Sequence, residues 1–291
     1  MAWYTIDDPK DPRLDELAKQ FNLHPLHIED CRSDNERAKS EEMPNYLFVL
    51  VKYIYKSPDG EPHWSELCMF VGHDFFITVR DAAFPADVVL DSARKACDAG
   101  HAESRPSKLL YLILDTVVDS YFVNIDHIDD RIDDLQDSVL DKPTPELLGQ
   151  IFEEKRRLTA VRRVLVGMRE GSTRITSEHS QFIETDLSLF FRDISDHIYR
   201  QLDLVESLRD LLNNTLDVYL SSVANRTNQI MKVLTVLSTI ALPAVVISSI
   251  FGMNVKGIPF LNSDYGFIAV ATLMVASTAG LLWMLKRFGW F

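Results

Sequence analysis

The feature that most constrains this chain is a run without a charged side chain from Val233 to Phe251, followed at once by Gly252, Met253 and Asn254. About 19 residues at about 1.5 Å each make a helix of roughly 28 Å, close to the hydrocarbon thickness of a bilayer. A second uncharged run, Phe267 to Leu285, follows after a short connection. The sequence therefore predicts two membrane-spanning helices joined as a hairpin. A buried core hairpin in a soluble protein is the alternative, and two uncharged runs of this length argue against it. Neither run is a signal sequence, because both lie far from the N-terminal MAWYTIDDPKDPR, which has no apolar core. Lys286 and Arg287 close the second run and Arg226 and Lys232 precede the first, while the loop carries Lys256 and Asp264. Basic residues favour the cytoplasmic side, so we expect a multi-pass inner-membrane protein with both termini in the cytoplasm.

Ahead of the hairpin lies enough of the 291-residue chain for a sizeable core. A net charge of -13 argues against nucleic acid, which wants a surplus of Lys and Arg, and suits cations. Cys31, Cys68 and Cys97 are odd in number and widely spaced, so neither a disulfide framework nor a zinc ribbon is indicated. No G-x-x-x-x-G-K-[ST] loop is present, which speaks against ATP as fuel.

Three parts are expected. Residues 1–105 read as an α/β subdomain, with a strand at Trp3–Ile6, helices at Asp11–Phe21 and around Leu23–Cys31, and a strand at Tyr46–Tyr55 before the Ser57-Pro58-Asp59-Gly60 turn. A hairpin of Leu67–Val71 and Phe75–Arg80 follows, then a helix at Asp87–Ala99 ended by Gly100. Residues 106–230 read as a helical stalk. Leu110, Ile113, Val117, Tyr121, Ile125, Ile128, Ile132, Leu135 and Val139 form one apolar stripe, broken by Asp141-Lys142-Pro143. Thr144 and Pro145 restart a helix that should end near Arg169, with Gly171 as its stop. The third helix, with Leu187, Phe191, Ile194, Ile198, Val205, Leu208, Leu212 and Tyr219 on a heptad-like schedule, should run from near Glu178 to Ile250, roughly 105 Å. Residues 231–291 form the two-span membrane domain. The fold class is α+β.

One face of the first span carries Asn228, Met231, Thr235, Ser238, Leu242, Val245 and Ser249 at alternating steps of three and four. A ring of such helices would enclose a polar path narrowed by apolar side chains; packing of helices through small residues is the other reading. Asn254 lies where Gly252 permits a turn. Neutral amide oxygens arranged in a ring can hold a hydrated cation through its waters, which suits Mg²⁺ because it sheds water reluctantly; a plain loop or cap role is the alternative.

Gly252-Met253-Asn254, after LPAVVISSIF and before a two-span C-terminus, resembles the signature tripeptide of the CorA family of divalent-cation transporters. The likeness extends to DVYLSSVANRTNQIMKVLTVLSTIALP, to FRDISDH and to LHPLHIEDC. It implies a homopentameric funnel whose first spans line a central pore. Gly252, Met253 and Asn254 would form the selectivity ring. Met231 and Leu234 would lie in the constricted inner half, with Asn228 just below and Asp217 as an acidic ring near the cytoplasmic mouth. Asp193 of FRDISDH matches an acidic residue of an intersubunit regulatory divalent site whose acidic partner lies in the α/β part. The loop Val255–Phe260, with Lys256, is closer to the ZntB branch, associated with zinc and proton coupling.

The resemblance implies passive, potential-driven influx of Mg²⁺, or of Co²⁺, Ni²⁺ or Zn²⁺, gated by cytoplasmic divalent binding. Two rivals are a proton-coupled Zn²⁺ transporter and a membrane-anchored scaffold or sensor. The expected partners are further copies of the chain, the lipid bilayer and divalent cations; no enzyme activity and no organic cofactor are expected. Asp126, Asp129, Asp130, Asp133, Asp134 and Asp137 read first as a solvated face and second as a concentrator of cations. His24 and His27, with no carboxylate partner apparent, read as structural, and Arg156, Arg157, Arg162 and Arg163 as balancing neighbouring acids.

Overall fold

A computed structural model describes residues 1–33, 37–56, 62–80, 86–98, 105–177, 180–254, 259 and 264–289. The Ser57–Gly60 turn, the stop at Gly100, the start near Glu178 and most of the Val255–Phe260 loop with Lys256 lie outside the described residues. The chain divides into two compact units, Met1–Leu216 and Asp217–Phe291.

The first unit is built on a mixed sheet of β1 (Ala2–Ile6), β2 (Lys39–Met43), β3 (Tyr46–Lys56), β4 (Pro62–Val71) and β5 (Phe75–Arg80). Five strands lie in the order β1-β5-β4-β3-β2. β1 runs parallel to β5, with Ala2 opposite Phe75, and the other pairs are antiparallel. Side chains alternate across a strand, and β3 is apolar on both faces. Tyr46, Phe48 and Leu50 join Leu14, Leu17 and Ile28 of α1 (Arg13–Gln20) and α2 (Pro25–Arg32) in one core. Leu47, Val49 and Val51 are buried on the opposite face, where α5 (Pro106–Asp141) and α6 (Pro145–Ser177) pack on the sheet. A sheet covered on both sides reads as a continuous apolar run, which is why Tyr46–Tyr55 lacks alternation.

The expected stripe of α5 is buried from Leu110 to Val139. Its anchor to the sheet is Tyr121, fully buried, whose hydroxyl donates to the Lys52 carbonyl at 2.7 Å. α1 begins at Arg13 with Pro12 as its N-cap, two residues after the expected start, and the Asp11 carboxylate ahead of it accepts from the Arg13 amide at 2.9 Å. His24 caps α2, its ring accepting from the Leu26 amide with Pro25 at the first position.

Four expectations are corrected. Gly171 does not end α6, which continues to Ser177. That glycine instead lies beside β2: its carbonyl accepts from Ser40 Oγ at 2.7 Å, and an added Cβ would meet the Ser40 amide nitrogen at 3.4 Å, an ordinary contact. The third long helix, α7, spans Ser188–Phe251, 64 residues. It starts later than expected because Ser180 Oγ accepts from the Phe182 amide and holds a turn there, followed by a 3-10 turn at Thr185–Leu187. The helix expected at Asp87–Ala99 is two, α3 (Ala86–Val89) and α4 (Asp91–Asp98), with Leu90 fully buried at the break. The strand β2 carries Lys39, Glu41 and Glu42 and had no apolar signature, as suits a sheet edge.

Among the described residues, α7, whose apolar end lies in the second unit, and α8 (Gly266–Arg287) are the two helices long and apolar enough to cross a membrane. Their apolar surfaces are bare: Leu237, Leu242, Val245, Phe267 and Trp283 are all exposed. Pro243 sits inside α7.

Candidate functional site

The apolar end of α7 finishes in a close backbone turn. The Gly252 amide donates to the Ser248 carbonyl at 2.8 Å and the Met253 amide to the Ile250 carbonyl at 3.3 Å. A Cβ on Gly252 would stand 3.0 Å from the Ser248 oxygen, so the turn takes glycine for want of space. Met253 and Asn254 are exposed just beyond it. The free carbonyls of a helix C-terminus carry roughly half a negative charge, so the Asn254 amide sits at the end of the helix that favours a cation.

Along the span, Asn228, Met231, Leu234, Ser238, Leu242, Val245 and Ser249 are exposed in the single chain, and Thr235 is half-buried. Thr235 Oγ1 donates to the Met231 carbonyl at 2.8 Å, satisfied within its own helix. Asp217, on α7, is exposed as well.

The other predicted residue, Asp193, lies in the first unit on the N-terminal part of α7, with 63% of its side chain exposed and His197 Nε2 3.8 Å from its carboxylate. Across from it on α5 is Asp115, half-buried. Burial raises the Asp115 carboxyl above its ordinary range, Asp119 and Asp193 raise it further, and His197 opposes them. Asp115 and Asp119 were not singled out from sequence; the signal available was a pair of acids one turn apart beside an otherwise apolar stripe. Among the described residues, no three His, Cys, Asp or Glu side chains come together closely enough to hold a metal ion.

The six aspartates from Asp126 to Asp137 are exposed on α5. Mutual repulsion is felt at Asp129, whose carboxyl is raised by partial burial and by Asp133, Asp130 and Asp126. His27 is the structural residue expected, although a carboxylate does meet it. Its ring is buried and stacked on Phe48, with Nδ1 2.7 Å from the Tyr46 hydroxyl and Nε2 3.0 Å from Glu41.

Residues 1–287 match the family described as CorA-like Mg2+ transporter protein. The chain belongs to that family. The cobalt/magnesium transport protein CorA of Thermotoga maritima is 32% identical over 274 residues, 93% of this chain and 77% of that one. The zinc transport protein ZntB of Enterobacter sp. is 26% identical over 274 residues, 92% of this chain and 81% of that one. Among solved structures, the complete CorA magnesium transporter of Methanocaldococcus jannaschii superposes with a TM-score of 0.84 at 24% identity, over 99% of this chain and 91% of that one. The CorA architecture accounts for the N-terminal α/β unit, the long helices and the two C-terminal apolar helices together.

Proposed function

We propose that this CorA-family chain is a passive route for divalent cations, Mg²⁺ foremost, from outside the cell into the cytoplasm. The observation that carries the reading is Asn254, exposed in the turn at the C-terminal end of an apolar, span-length helix. One amide cannot select an ion, so the reading requires several copies. A homopentamer with Gly252, Met253 and Asn254 as the outer ring and Met231, Leu234, Thr235, Ser238, Leu242, Val245 and Ser249 along the path supplies them. A dry constriction of Met and Leu closes such a path by dewetting. With about 100 mV, negative inside, a divalent ion gains roughly 4.6 kcal/mol on entering, so no chemical fuel is needed.

Regulation, in this reading, falls to Asp193 together with Asp115. Asp193 repels the Asp115 carboxylate, an effect that His197 and Lys108 oppose and that a divalent cation would remove, and completion of the ligand set by an acid of a neighbouring copy would make ion binding and subunit contact one event. Cytoplasmic Mg²⁺ would then hold the pore shut and its depletion would loosen it.

The test is uptake into proteoliposomes. Asn254→Ala is expected to abolish divalent uptake while leaving the oligomer's mass in light scattering unchanged; full uptake by that variant removes the ring from the mechanism. Asp193→Ala is expected to stay open at millimolar Mg²⁺, where the unaltered chain closes. The likeness to ZntB supports a second reading, proton-coupled Zn²⁺ transport. Zinc uptake that follows an imposed pH gradient selects it over the simple pore.

A further inference from the structure

A second polar site lies away from all of these residues, and its charge is of the opposite sign. A cavity of about 390 Å³ is lined by Arg37, Thr159, Arg162, Arg163, Val166 and Arg209. Thr159, Arg162, Arg163 and Val166 recur on one face of α6, Arg209 comes from α7, and Arg37 from the segment leading into β2. Gly167 makes room for that segment: a Cβ there would stand 2.9 Å from the Ala38 carbonyl oxygen and 3.3 Å from Arg37 Cγ.

The arginines outnumber their acids. Glu206 accepts from both Arg162 and Arg209, the latter at 2.6 Å, and Glu170 accepts from Arg37 at 2.8 Å. The shared Glu206 carboxyl is held below its ordinary range, chiefly by Arg162. No carboxylate among the described residues is bonded to Arg163, which is exposed. Among the described residues, four guanidinium groups share two bonded carboxylates, a local positive excess in a chain whose net charge is -13.

We propose that Arg37, Arg162, Arg163 and Arg209 form a binding site for a small phosphate-bearing polyanion. The guanidinium fork pairs with phosphate oxygens through parallel hydrogen bonds, and the cavity has the size of a small-molecule site. No aromatic ring lines it, so it reads the phosphate chain and offers no stacking platform for a base. Inorganic triphosphate and the phosphate tail of a nucleotide share that chemistry. Polyphosphates also bind Mg²⁺, so a site of this kind can be examined cleanly only with divalent ions withheld.

The experiment is titration calorimetry on the full chain in detergent, in buffer with EDTA, using sodium triphosphate, sodium orthophosphate and ATP as probes. Triphosphate is expected to bind saturably, more tightly than orthophosphate and more weakly as salt rises. ATP equal to triphosphate assigns recognition to the phosphates alone; ATP markedly tighter overturns the absence of base recognition. Arg163→Gln should weaken triphosphate by about ten- to a hundredfold, and Arg37→Gln reads the same site from a second element. Arg156→Gln, on α6 but outside the cavity, should leave affinity unchanged. Absence of saturable binding, or equal affinity in Arg163→Gln and Arg37→Gln, overturns the proposal. So does a change of oligomer mass in Arg163→Gln at unchanged triphosphate affinity, which assigns the arginines to the acids of another copy.

Discussion

Asp115 shows how a single residue is held against its own preference. Its carboxyl is raised above the ordinary 3.8 by burial first and by Asp119 and Asp193 after that, so its stabilising contribution is complete below that value and is lost as pH rises through the raised one. At neutral pH the carboxylate therefore destabilises the fold. Asp115→Asn should raise the thermal midpoint in EDTA, and Mg²⁺ should raise that of the unaltered chain more than that of the variant. Glu41 has the opposite sign. Its hydrogen bond with His27 leads the causes that hold it below 4.5; burial opposes that lowering and Lys39 adds to it. Its stabilising contribution is present above 4.5 and lost as pH falls through the lowered value. Thermal melts below pH 4.5 should show a loss of midpoint that is smaller in Glu41→Gln. Neither residue stood out in the sequence: Asp115 owes its shift first to burial, which the fold alone supplies, and Glu41 on β2 owes its shift to His27 on α2.

Among the elements, the long helices were the most legible. Every stripe residue from Leu110 to Val139 and from Leu187 to Tyr219 is buried, since one apolar face repeated over many turns admits few other arrangements. Glycines were the least legible. Gly171 carries the composition of a helix stop, yet it lies inside α6 beside β2, a neighbour that only the fold reveals. Gly167 has the same origin, and Gly167→Ala measures its worth. The gain in helix propensity of about 1 kcal/mol is set against a Cβ 2.9 Å from the Ala38 carbonyl oxygen, an overpacking of about 1–3 kcal/mol. Chemical denaturation should report a net loss of about 1 kcal/mol. The edge strand β2 escaped notice for a related reason: its charged residues fit a border of the sheet and give no periodic apolar signal.

For the whole molecule, the bare apolar surfaces of α7 and α8 answer the question that composition blurs. A mean hydropathy of -0.04 averages a water-soluble unit with a membrane one. The tripeptide Gly252-Met253-Asn254 was readable at once, yet what it does depends on copies that a single sequence does not arrange. Native mass spectrometry in lipid nanodiscs should find five copies, and a mass of one copy removes the conducting path. Influx of Mg²⁺ into proteoliposomes should fall when the potential is collapsed with a potassium ionophore. Influx indifferent to voltage would leave the roughly 4.6 kcal/mol supplied by the membrane without a role.

The parallel pairing of β1 with β5 bears on how the chain is made. Ala2 finds its place opposite Phe75, so β1 is synthesised well before its partner and must wait until the last strand of the sheet has emerged. Until then β1 has no strand beside it, and its unpaired amides and carbonyls are open to a strand from any neighbouring chain.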